Sequence, residues 1–208
     1  MLLGCEYTVL FFGVVGVYAW LDVPGSPIPF LVVLGGAAVV YLLRQPTFER
    51  ADLWRASALR TALPSILLLS AAAAVLMVGA VALWDADRLF RFPREAPLTW
   101  LVVATLYPLL SVYPQELIFR AFLVERYAPV FGTGTTLAAA SALAFGFAHI
   151  IFGTWLSVVL TVIAGRLFAR RYQRTRSLLA ASVEHALFGV LAFTIGLGDL
   201  FYHGAADR

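Results

Sequence analysis

Seven apolar runs, each about as long as a helix that crosses a bilayer, follow one another through this chain with only short polar breaks between them. They lie near residues 4–20, 27–43, 63–84, 98–125, 135–152, 154–170 and 178–198. A hydrocarbon core of about 30 Å takes roughly 20 helical residues to cross. Inside it no water is present to satisfy backbone N–H and C=O groups, so each crossing must bond internally as a helix. Composition agrees: 62% of residues are hydrophobic and 13% charged, against about half and a quarter in soluble domains. The expected fold is therefore all-α, a polytopic membrane helix bundle with about seven transmembrane helices, within a range of six to eight. The first run has no basic stretch before it and no clear small-residue cleavage site before Leu21-Asp22, so it is expected to be a retained anchor.

Charge orients the bundle. All 15 basic residues are Arg, and they cluster between apolar runs, which is a topology signal and not a nucleic-acid footprint. Arg44, Arg50, Arg55 and Arg60 form one group, and Arg166, Arg170, Arg171, Arg174 and Arg176 another. Both groups are expected on the cytoplasmic side, which makes the N-terminus cytoplasmic; Arg88, Arg91 and Arg94, mixed with Asp85, Asp87 and Glu95, then fall outside. Cys5 is the single cysteine, so no disulfide forms within the chain. Residues 1–97 read as membrane helices without motifs, 98–198 as the core that carries the chemistry, and 199–208 as a tail in which Asp199 and His203 form an interfacial cap. Phe152-Gly153-Thr154 is short enough to make the fifth and sixth runs an antiparallel hairpin. Small-residue patches such as Gly35-Gly36 and Ala138 to Ala140 permit close helix packing.

Against this background a few polar side chains stand out, because an ionisable group inside a membrane costs a few kcal/mol even on lenient scales and needs a partner or a task. They are Gln115, Glu116 and Arg120 in Tyr113-Pro-Gln-Glu-Leu-Ile-Phe-Arg120, His149 in Phe145-Gly-Phe-Ala-His149, and the pair Glu184-His185. Glu116 and Arg120 are four apart, on one helix face and in ion-pair reach. Gln115 points about 100° away from Glu116 around the same helix, and Pro114 removes a backbone donor and is expected to kink it. At 1.5 Å per residue Glu116 and His185 both lie about 12–14 Å from the inner boundary, so they can meet; His149 lies about 8–10 Å further out. His149 also has a plain structural reading, a ring bonded to a neighbouring carbonyl.

A carboxylate and two imidazoles in a partly wetted cavity can activate water as a nucleophile and stabilise an oxyanion. The same set could hold zinc as His/His/Glu by tertiary proximity, and Glu and His chains also serve proton-coupled transport.

The pattern resembles the CAAX-protease and bacteriocin-processing family of intramembrane proteases, the group with the Rce1-type prenyl proteases. That family carries Glu-Glu-x-x-x-Arg, Phe-x-x-x-His and His-x-x-x-Asn on successive helices. Here they correspond to Gln115-Glu116-Leu-Ile-Phe-Arg120, Phe145 to His149, and His185-Ala-Leu-Phe-Gly189. The resemblance covers about residues 98–198. It implies a helical bundle with its catalytic cavity inside the bilayer, a glutamate-activated water that cuts a peptide bond, and no cofactor. The implied partners are the lipid bilayer and a membrane-protein or lipopeptide substrate cut near its C-terminal anchor. Two positions depart from the family: Gln115 stands where the water-activating Glu is usual, and an amide takes no proton from water; Gly189 stands where the Asn is usual. The expected catalytic set is therefore Glu116 as base, Arg120 as its orienting partner, and His149 and His185 as water-positioning and oxyanion groups, with Gln115 and Glu184 as accessory candidates. A bacterial plasma membrane is the expected location. The alternative reading is a relative that binds transmembrane segments without cutting them.

Overall fold

The computed structural model describes residues 2–201, and all seven apolar runs are helical in it. The helices are α1 (Leu2–Trp20), α2 (Ile28–Arg44), α3 (Ala56–Trp84), α4 (Pro97–Phe131), α5 (Thr135–Ala148), α6 (Trp155–Thr175) and α7 (Leu178–Ile195). Among the described residues there is no strand. Five helical stretches are long and apolar enough to cross a membrane: α1, α3, α4, α5 with the turn that follows it, and α7. Of the other two expected spans, α2 has 17 residues. The second half of α6 carries four arginines and leaves the apolar layer as it runs.

Helix ends are set by local chemistry. The Thr154 and Ser177 hydroxyls accept from the backbone N–H of Ser157 and Ala180, each at 3.2 Å, and so start α6 and α7. Gly196, at φ 111°, ends α7 in a left-handed conformation that a side chain would resist. Between α5 and α6 the turn is tight enough to make the expected hairpin, and two glycines let the helices touch. A Cβ on Gly146 would come within 2.2 Å of the Val162 side chain, and one on Gly165 within 2.9 Å of Phe145. Gly35 likewise lets α2 cross α4 at Pro114, 3.1 Å from where a Cβ would sit, whereas its neighbour Gly36 faces open space.

The two arginine-rich groups meet at one end of the bundle. Asp52, 1% exposed, pairs with Arg55 at 2.5 Å and with Arg176 at 2.8 Å. Arg55 Nε donates to the Arg176 carbonyl at 3.2 Å, and the Ser177 hydroxyl donates to the Arg55 carbonyl at 3.0 Å. At the same end Arg126 and Tyr127 of α4 hold Glu6 of α1 at 2.7–2.9 Å. At the opposite end Arg88 pairs with Asp85 and Asp199, and Arg91 with Glu95. Asp199 thus has a partner other than the one expected of it, and His203 lies outside the described residues.

Pro114 does not break α4 at a single point. Two π-helical turns flank it, Pro108–Val112 before and Leu117–Phe122 after. A π turn bonds i to i+5 and absorbs one extra residue. The donor that Pro114 lacks is therefore accommodated by rewinding the helix on both sides of Gln115 and Glu116.

Candidate active site

The centre of the site is a chain of three polar side chains from two helices. The His185 Nδ1–H, on α7, donates to Glu116 Oε1, on α4, at 2.9 Å. The other ring nitrogen, Nε2, lies 3.3 Å from the Tyr107 hydroxyl, also on α4. An ionised carboxylate only accepts, so the Glu116 contact places a ring proton on Nδ1 and leaves Nε2 facing the Tyr107 hydroxyl. Phe168 stacks on the imidazole at 4.7 Å and Phe145 meets it edge-on at 5.3 Å, which fixes the ring plane.

Glu116 is fully buried, and Arg120, equally buried, pairs with its other oxygen at 3.2 Å. Four contacts hold the guanidinium. Its Nη1 donates to the Ser141 hydroxyl at 2.9 Å and to the Phe119 carbonyl at 3.3 Å, while its carbon lies 4.6 Å and 5.8 Å from the ring centres of Phe145 and Phe168. Such cation–π contacts strengthen when desolvated. The expected i, i+4 pair is therefore present, with Ser141 from α5 as an additional brace.

A cavity of about 1700 Å³ lies within the bundle beside this chain, with walls mostly of aliphatic and aromatic side chains from all seven helices. Tyr107, Gln115, His149, His185 and Gly189 line it; Glu116, Arg120 and Glu184 do not. Sequence reasoning placed the chemistry on Glu116 directly. In the structure Gln115 faces the cavity, and Glu116 touches it only through the His185 ring. The two residues point apart, as consecutive positions on a helix must.

Gln115 Nε2 donates to the Ser111 hydroxyl at 2.7 Å, one turn back. His149 Nδ1–H donates to the Phe145 carbonyl at 2.8 Å, so the plain structural reading of this histidine holds while its ring also borders the cavity. The Phe145 ring lies between the two histidines, 4.7 Å from His149 and 5.3 Å from His185. Glu184 turns the other way. Its carboxylate is held at 2.8 Å and 3.2 Å by Arg171, which also reaches Ser65, so it ties α7 to α6 and α3. Among the described residues no three His, Cys, Asp or Glu side chains converge as a metal-ligand set.

Three contributors escaped the sequence reading. Ser111 was within reach of it, being four before Gln115 on the same face. Ser141 and Tyr107 carry no local signal, because only packing brings them to Arg120 and His185.

Fold and site together define a multi-pass membrane protein with a polar site buried inside its helix bundle. Residues 95–191 match the family model described as Rce1-like, type II CAAX prenyl endopeptidase Rce1-like. This stretch of the chain, which carries Tyr107, Gln115, Glu116, Arg120, His149 and His185, is similar to that family, whose members are intramembrane proteases. No curated protein and no solved structure matches the chain.

Proposed function

We propose that this protein is an intramembrane endopeptidase that cleaves a membrane-associated protein or lipopeptide near its C-terminal anchor. We assign the water-activating role to His185, with Glu116 acting through it. The observation that carries this reading is the 2.9 Å contact from His185 Nδ1 to Glu116, with Nε2 toward Tyr107 in a ring that borders the cavity. A carboxylate behind an imidazole holds its tautomer and stabilises the imidazolium that forms when Nε2 takes a proton from water. The hydroxide attacks the peptide carbonyl carbon. In the neutral His149 ring, Nε2 accepts from the water and positions it. Gln115 cannot act as base, but its amide has a second N–H that can donate to the carbonyl oxygen as charge develops there.

His185→Ala is expected to reduce cleavage of a co-expressed membrane substrate to below about 1%, and His149→Ala by about 10- to 100-fold, with protein abundance unchanged. Retention of the cellular function by both variants would sink the peptidase reading. It would favour the non-catalytic binder, to which the amide at 115 and the bare position 189 also point.

A bacterial plasma membrane with the N-terminus on the cytoplasmic side is part of the same proposal. The orientation is supported by the meeting of the two arginine-rich groups at one end of the bundle. An N-terminal tag should be digested by protease added to inside-out vesicles; protection of the tag reverses the orientation.

A further inference from the structure

We infer that the Tyr107 hydroxyl is the proton relay between the attacking water and His185. The inference rests on the endopeptidase reading and adds a catalytic residue to it. Tyr107 lines the cavity, and its hydroxyl is hydrogen-bonded to His185 Nε2 at 3.3 Å. A proton that reaches that nitrogen from the cavity meets this hydroxyl first.

Two features of the backbone place it there. Tyr107 and Gln115 are eight apart, which would set them about 80° apart around an unbroken α-helix. The π turn Pro108–Val112 between them takes up one residue, so Tyr107, Ser111 and Gln115 fall along one face and all three border the cavity. On α7, Gly189 lies one turn beyond His185. A Cβ there would be 2.3 Å from the Tyr107 oxygen and 2.5–2.6 Å from its ring. The missing side chain at 189 is the space that the hydroxyl fills, and Phe193, edge-on at 5.4 Å, backs the ring.

The steps balance. In the resting site Tyr107 O–H donates to Nε2. Water gives a proton to the Tyr107 oxygen as the Tyr107 proton passes to Nε2, and the new hydroxide bonds to the peptide carbonyl carbon. When the C–N bond breaks, Nε2–H returns its proton to the Tyr107 oxygen, and the Tyr107 proton passes to the leaving amine. Tyr107 ends as it began, and the net reaction adds one water across the peptide bond.

The test uses the purified full chain in lipid vesicles and, as probe, a quenched fluorogenic peptide ending in a lipidated cysteine. Tyr107→Phe keeps the ring and removes only the hydroxyl. Its kcat is expected to fall about 100-fold or more with KM within about threefold. In mixtures of H2O and D2O the unaltered protein should show a curved dependence of rate on deuterium content, the sign of two protons in flight, and Tyr107→Phe a linear one. A merely structural tyrosine would not change that curve. Gly189→Ala retains the hydroxyl but displaces it, and should lose activity to a similar extent. If His185→Ala is inactive while Tyr107→Phe keeps kcat within threefold, or if Gly189→Ala is fully active, the relay is wrong and the endopeptidase reading stands. No cleavage of the probe by the unaltered protein overturns both.

Discussion

Glu116→Gln is expected to lower turnover by about 10³- to 10⁴-fold, the size of loss that follows when the carboxylate behind a catalytic imidazole becomes an amide. The variant keeps the shape of the side chain. It loses the charge that stabilises the imidazolium and, because an amide can either donate or accept, no longer dictates which ring nitrogen of His185 bears the proton. The substitution also leaves Arg120 buried without its counter-charge, which lowers the folded fraction as well as turnover. Adding Arg120→Gln separates the two. The double variant should recover its abundance in the membrane, since no lone charge remains, and should stay inactive. Recovery of both abundance and cleavage would make the pair a structural brace and would remove Glu116 from the chemistry.

Arg120→Leu is the variant with the largest expected effect on stability. It strips Glu116 of its partner at a position with no exposure to solvent, and breaking one side of such a pair costs about 3–5 kcal/mol. It also removes the brace to Ser141 and the contact over Phe145. At about 1.4 kcal/mol per factor of ten, the folding equilibrium should fall by more than 100-fold. Denaturant titration of the purified protein in micelles, followed by circular dichroism, measures it. An unchanged midpoint would mean that no charge on Glu116 needed compensation, and the pair would lose its assigned role.

How far the chain could be read beforehand depends on whether the signal is local. Helices were legible because apolar runs in lipid have one backbone solution, and all seven runs adopt it. The Glu116–Arg120 pair was legible because four-residue spacing is a property of the helix alone. The meeting of Glu116 with His185 followed from counting depth, which needs only the rise per residue. What failed was direction. Adjacent charges at Glu184 and His185 suggested one cavity, yet neighbours on a helix face apart, and Glu184 goes to Arg171. In the same way Glu116 carried the charge while Gln115 obtained the cavity face. Tyr107 was invisible because its place depends on a π turn and on a glycine in another helix, neither of which leaves a trace in periodicity.

The Asp52 cluster has a bearing on what the cell must tolerate. Residues that line the cavity include Tyr41, Leu69, Phe122 and Phe168, but none from the knot of Asp52, Arg55 and Arg176 beyond them. The lining of the cavity thus stops short of this charged knot. Hydrolysis needs water deep in the bilayer, and a wet passage open at both ends would short-circuit the electrochemical gradient of the membrane that houses it. On the proposed endopeptidase reading, interlocked charges at one end of the bundle would let water reach the scissile bond from elsewhere without opening a passage across the membrane.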